Sequence, residues 1–261
     1  MKRRGTRAGV TIRVGTSGWS YNHWIGVLYE RGLPAAQRLG RYAAEFDTVE
    51  LNGSFYRWSP DAWFARWRDQ VPPGFLMAVK APRGLTHARR LRSPEIWVER
   101  LHRGWGELGD RAGPLLVQLP PTMERDAETL QRLDHFLDVM PAAIPVAVEF
   151  RHPSWHESAA AFDVLERHAA AYVVMSGSGL PCVLRATAPF VYVRLHGPDP
   201  GALYGGSYSG DDLRWWADRV REWDAQGRDV LVYFNNDLGG NAVRNARDLK
   251  TALGLGAPAP G

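Results

Sequence analysis

Short runs of Val, Ile, Leu, Tyr and Phe alternate along the chain with longer amphipathic segments in a regular order. Eight runs have strand length: 12–16, 48–51, 75–80, 115–119, 146–150, 171–175, 190–195 and 230–234. Each is bounded by a polar turn and is usually followed by apolar residues at helical spacing. Those following segments predict helices at 34–46, 60–70, 94–108, 127–140, 158–169, 211–226 and 242–253. Strands that alternate with helices pair in parallel. Eight such units in 261 residues predict a closed eight-stranded parallel sheet, the (β/α)8 TIM barrel, of the α/β class. Residues 177–189 hold Gly-Ser-Gly and two prolines with too little periodicity for a helix, so an irregular crossover is expected between strands six and seven. An open doubly wound sheet is the alternative, but its usual glycine fingerprints, G-x-G-x-x-G or G-x-x-x-x-G-K-[ST], do not occur.

No repeat or linker divides the chain, which is read as a basic leader (1–10), one barrel domain (11–254) and a loose tail (255–261). With 45% hydrophobic residues, among them 11 Trp, 9 Tyr and 9 Phe, it can fill a large core. No run approaches the roughly 18 uncharged residues of a membrane helix, so no membrane partner is expected. The lone cysteine, Cys182, cannot form an internal disulfide, and the first residues lack an apolar secretory stretch; a cytoplasmic location is expected. The net charge of +4 comes from Lys2, Arg3, Arg4 and Arg7, without which 28 basic residues face 28 acidic ones. A general electrostatic footprint for nucleic acid is therefore not expected from the body of the chain.

Barrel chemistry collects where strands finish, because the loops there form a mouth above a packed interior. Reading the strand ends in order gives Ser17 and Trp19, Glu50 and Asn52, Lys80, Gln118, Glu149 with Arg151 and His152, Arg194 with His196, then Asn235, Asn236 and Asp237. Residues two apart on a strand share a face, which pairs Glu50 with Asn52, Glu149 with Arg151 and Arg194 with His196. Such pairs can be structural layers that neutralise one another. A ring of them is a costly structural solution, because buried charge is expensive, and it points to function. Aromatic residues follow the same strands: Trp19, Tyr21 and Trp24 after the first, Tyr56 and Trp58 after the second, Trp155 after the fifth, Tyr204 and Tyr208 after the seventh. Trp63 and Trp67, at i and i+4, read instead as the buried stripe of a helix.

Six segments carry a resemblance: GTSGWSYNHW (15–24), TVELNGSFYR (48–57), LLVQLPP (115–121), AVEFRHPSW (147–155), YVRLHG (192–197) and VYFNND (232–237). In this order they resemble the YecE-like family, the domain of unknown function 72. Lys80 with Thr86-His87 resembles that family's third-strand segment. The resemblance implies a TIM barrel and brings no established activity with it. Two positions depart from the family pattern: Gly53-Ser54, where a bulkier residue plus Thr is common, and Ser176, where an acid is frequent.

Three functions are weighed. The first is a hydrolase acting on a phosphate-bearing substrate, such as a phosphodiester, a nucleotide or a nucleic-acid strand. Its basis is the cationic lining of Arg57, Lys80, Arg83, Arg151 and Arg194, with Gly239-Gly240-Asn241 as a phosphate turn before the last helix. In that reading Glu149 or His196 is the base, and Lys80, Arg151 and Arg194 stabilise the transition state. Glu50, Asn52, Gln118, His152, Asn235, Asn236 and Asp237 orient the substrate, and Trp19, Tyr21, Tyr56 and Arg57 line the entrance. The second is a glycoside hydrolase using Glu50 and Glu149. The third is a non-catalytic binder of a small ligand or nucleic acid. No cofactor is defined: Glu50, Glu149, His152, His196 and Asp237 are ligand types for a divalent metal, but their spacing does not indicate one. The sequence leaves the oligomeric state open. A serine triad is set aside, since GTSGW misses G-x-S-x-G.

Overall fold

A computed structural model describes residues 11–177 and 179–256, so the predicted leader and the end of the tail lie outside the described residues. Eight strands form: β1 (Ile12–Ser17), β2 (Thr48–Leu51), β3 (Leu76–Lys80), β4 (Ala112–Gln118), β5 (Val146–Glu149), β6 (Ala171–Ser176), β7 (Phe190–Leu195) and β8 (Asp229–Phe234). They pair in parallel in sequence order, and β8 returns to β1, closing the barrel. Eight helices accompany them: α1 (Arg38–Ala43), α2 (Gly53–Tyr56), α3 (Asp61–Arg68), α4 (Glu95–Gly106), α5 (Ala127–Val139), α6 (Ala159–Arg167), α7 (Gly210–Ala225) and α8 (Asn241–Leu253). The TIM barrel expected from the alternation is the fold. Among the described residues no helix spans the β6–β7 connection, as its composition predicts.

Local chemistry sets the boundaries. Asp126 caps α5 and Ser209 caps α7, each in a reciprocal capping box with the residue three positions on. Pro34, Pro60 and Pro94 stand at helix entries, where a missing N–H costs nothing. Two boundaries differ from expectation. β4 begins at Ala112 rather than at residue 115, because a bulge against β3 accommodates Gly113-Pro114 within the strand. The first helix is shorter than expected, a 3-10 turn (Ala35–Gln37) leading into α1.

The strand alternation sorts the core into two bodies. Outward residues such as Val49, Leu51, Val79, Val117, Val148, Val193 and Val232 pack under the helices. Inward residues Ala78, Leu116, Ala147, Val173, Tyr192, Leu231 and Tyr233 fill the barrel itself. Continuing the inward period by one step along β2, β3, β5 and β7 reaches Glu50, Lys80, Glu149 and Arg194. Gly15 lets β1 and β2 approach closely: a Cβ there would stand 2.2 Å from the Thr48 carbonyl oxygen. Among the described residues no helix is long and apolar enough to cross a membrane.

Candidate active site at the barrel mouth

The mouth is floored by a buried charge array centred on Arg194. Its Nε and Nη2 donate to the two Glu50 oxygens at 2.9 and 2.7 Å, a bidentate pair. Nη1 reaches across to Glu149 Oε2 at 2.5 Å. Ser17 Oγ, 2.5 Å from Glu50 Oε1, and the Tyr192 hydroxyl, 2.7 Å from Oε2, complete the shell of Glu50. Arg151 donates from Nε to Glu149 Oε1, and its Nη2 lies 3.1 Å from His196 Nε2. His196 Nδ1 is 3.1 Å from the Asn235 amide. Strands 1, 2, 5, 7 and the end of 8 thus meet through one network.

Burial and charge work against each other here. Burial alone would raise both carboxyls, but Arg194 holds Glu50 below the usual carboxylate range, and Arg151 with Arg194 holds Glu149 well below it. Burial pushes His196 down to about 4; Glu149 pulls it back, and Arg151 and Arg194 oppose that pull. The ring is neutral at pH 7. Lys80 differs from all of these. It is 6% exposed, and among the described residues its ammonium makes no hydrogen bond or ion pair. Its Nζ lies 4.2 Å over the Phe55 ring, a cation–π contact. Burial, reinforced by Arg194 and Arg151 against Glu50 and Glu149, lowers it to about 7. Ser54 fixes this strand end: its Oγ contacts the carbonyl oxygens of Leu51 and Lys80 at 2.8 and 2.7 Å.

The remaining predicted residues differ in where they stand. Gln118 is buried at the end of β4, where it pairs with Glu149 in register, and Asn52 carries a buried Oδ1 without a hydrogen-bond partner. Tyr21, held by the Ser17 carbonyl at 2.9 Å, and Tyr204, with its ring 5.6 Å from His196, border the array. Tyr56 is 71% exposed and Arg57 is exposed beside it. Asn236 and Asp237 bond to neighbouring groups of the protein, and Asn236 keeps a buried Oδ1 without a hydrogen-bond partner among the described residues. Asn236 donates to the Asn245 side chain and the Gly206 carbonyl, while Asp237 accepts from the Trp24 indole at 2.6 Å and lies 2.8 Å from His23. His152 turns away to cap the 3-10 turn Pro153–Trp155 through Ser154.

Four of the aromatic residues that follow strand ends belong to the core. Trp24, Trp58, Trp155 and Tyr208 are buried rather than presented to a ligand. Trp155 stacks on Phe150 at 4.6 Å and donates its indole N–H to the Met123 carbonyl, and Tyr208 accepts the Gly197 N–H. A large ring next to a closed barrel is worth more as core than as platform. Trp19 sits edge-on to Trp67 at 5.6 Å. Trp63, expected in a buried stripe, is 52% exposed, because α3 turns Phe64 and Trp67 inward and leaves Trp63 on its shoulder. At the Gly239-Gly240 turn, Arg244 donates to the Gly239 carbonyl, and the Gly240 N–H donates to the Asp237 carbonyl at 3.0 Å.

Residues that sequence reasoning missed support the array. Tyr192 was legible only as an inward position two before Arg194, and Phe55 lies in α2, too short for periodicity to reveal. Among the described residues no group of three or more His, Cys, Asp or Glu side chains is arranged to hold a metal ion.

Residues 13–260 match the profile described as Protein of unknown function DUF72. The UPF0759 protein YunF of Bacillus subtilis is 29% identical, the match covering 94% of this chain and 95% of that protein. The UPF0759 protein YecE of Escherichia coli K12 is 31% identical over 144 residues, 55% of this chain and 50% of that protein. Among solved structures, a DUF72 family protein from Thermotoga maritima superimposes with a TM-score of 0.85 at 29% identity, over 94% of this chain and 99% of that one. One from Enterococcus faecalis gives 0.80 at 21% identity, over 94% and 96%, and shares the fold.

Proposed function

The chain belongs to the DUF72 family of proteins of unknown function, and from that starting point we propose that it is an enzyme whose barrel mouth takes a phosphate-bearing substrate and hydrolyses it. Lys80 carries this reading. At the floor, Glu50 and Glu149 are each bonded to a guanidinium, which leaves the ammonium of Lys80, a side chain 6% exposed, with no anion in hydrogen-bond range among the described residues. A phosphate group supplies the missing charge. Burial lowers the amine to about 7, and a bound phosphate draws it back to the ammonium form, which stabilises the charge that develops as water attacks phosphorus. The bases expected from sequence are themselves engaged. Glu149 is committed to two guanidiniums, and the Nε2 of His196 faces Arg151; in this reading they position Arg151 and Arg194. Asn52, Gln118 and Asn235 face hydroxyl or amide groups of the substrate, and Tyr21, Tyr56 and Tyr204 border its flat part. A small phosphate ester such as a nucleotide fits this description.

The glycosidase reading loses its acid. Such an enzyme needs one of two carboxyls protonated, whereas Arg194 holds both Glu50 and Glu149 ionised.

The test is calorimetric titration with inorganic phosphate and a nucleoside monophosphate, in buffers of different ionisation heat, followed by assay of bis(p-nitrophenyl) phosphate. At pH 8 binding should take up most of one proton, and Lys80→Met should abolish the uptake. Binding with no proton linkage would overturn the role of Lys80. Binding with linkage but no turnover across phosphoesters would leave a ligand-binding protein.

A further inference from the structure

We propose that Lys80 is also a covalent catalyst, its Nζ condensing with the carbonyl carbon of a small phosphorylated aldehyde or ketone to form an imine. The inference rests on the preceding reading for the substrate's anionic end and goes beyond it in the bond that is made.

The choice of residue is the first argument. The chain has 29 arginines and only three lysines, Lys2, Lys80 and Lys250. The charged partners of Glu50 and Glu149 at pH 7 are Arg194 and Arg151, and arginine serves equally as a fixed charge but cannot lose its proton to become a nucleophile. Placement is the second. Lys250 spends its amine on the Glu45 carbonyl at 2.7 Å, whereas the Lys80 amine, among the described residues, is spent on no hydrogen bond. It stands at the C-terminal end of an inward strand face, beside the Phe55 ring. A desolvated lysine next to other cations is the arrangement that activates an amine. The groups facing it are Arg194, Glu50, Glu149 and Arg151, and their balance leaves about half of it neutral at pH 7. An ordinary lysine is neutral in roughly one molecule in a thousand or fewer at that pH.

The step balances without an oxidant. The Nζ lone pair adds to the carbonyl carbon, and the carbonyl oxygen receives the proton that nitrogen sheds, giving a carbinolamine. Loss of that hydroxyl as water leaves the C=N bond. The net change is amine plus carbonyl to imine plus water.

The full chain is incubated at pH 7 with glyceraldehyde 3-phosphate or with uncharged glyceraldehyde, reduced with borohydride, digested and mapped by mass spectrometry. The expected result is a reduced adduct at Lys80 at least tenfold above Lys250 and Lys2, greater with the phosphorylated aldehyde and suppressed by inorganic phosphate. The trapping rate should rise with pH to half its maximum near 7. Adduct at Lys80 no higher than at Lys250 overturns the imine, even if phosphate still binds with proton uptake. Equal trapping of both aldehydes at Lys80, insensitive to phosphate, keeps the imine and overturns the anionic end of the preceding reading. Mapping of the wild-type chain needs no variant. Lys80→Arg, checked for folding by circular dichroism, should lose the adduct at this position while Lys250 and Lys2 are labelled as in the wild type.

Discussion

Replacing Lys80 with Met should make the protein more stable, and the gain should depend on pH in a way that packing alone cannot imitate. The folded pKa of Lys80 is about 7, against 10.5 for an unperturbed lysine, because burial disfavours its charged form. The unfolded chain therefore binds more protons than the folded one between pH 7 and 10.5, so the Lys80 contribution to stability rises with pH across that window. Below pH 7 both states are protonated and the full penalty is present. A difference of that size at about 1.4 kcal/mol per pH unit amounts to roughly 3–6 kcal/mol, and Met, similar in length and apolar, does not incur it. Urea unfolding of wild type and Lys80→Met at pH 6, 8 and 10 measures the gap. It should be largest at pH 6, shrink by about 1.4 kcal/mol per unit above 7, and nearly close by 10.5. A variant that is less stable than wild type at pH 6, or whose gap is flat in pH, would refute the claim that an unpaired ammonium is buried there.

Arg194→Met leaves two buried carboxylates facing each other without their bridge and should cost about 3–5 kcal/mol at pH 7, read by urea unfolding; the triple variant Arg194→Met, Glu50→Gln, Glu149→Gln should recover most of that. In wild type the neutral His196, lowered to about 4, and the depressed carboxyls Glu50 and Glu149 all favour the folded state above their unfolded pKa values; stability should fall as pH drops below about 6.5, through His196 first, and NMR of its ring should show no titration between pH 8 and 5.5. Trp155→Ala should lose about 3–5 kcal/mol in denaturant titration, since a fully buried ring stacked on Phe150 is removed. Gly15→Ala should lose about 1–3 kcal/mol by the same measurement, because the added carbon meets the Thr48 carbonyl.

The fold was legible because its signal is long: each of the eight β-branched and aromatic runs has a counterpart strand, and the seven helix-length segments all contain a helix. The centre of the site was legible for the same reason, since Glu50, Lys80, Glu149 and Arg194 lie in phase with the inward period of their strands. What stayed hidden lies in the pieces between. The short turns Asn22–Trp24, Gly84–Ala88 and Pro153–Trp155, like α2, all follow strand ends and are too brief for any periodicity to declare. They decide where an aromatic points. Trp24 and Trp155 turned into the core through single indole hydrogen bonds to Asp237 and Met123, partners far away in sequence. Sequence also could not tell a charge that is paired from one that is not: Arg194 and Lys80 look alike as cations at strand ends, and only their neighbours in space separate them.

The guanidinium at position 194 acts as a hub with spokes to opposite sides of the cylinder. Widening the floor would mean tearing a bidentate clamp and its counterpart across the lumen at once, so any admission or release of a ligand falls to the loops above. Evolution can therefore rewrite those loops, and with them what is recognised, without loosening the plate on which the amine stands.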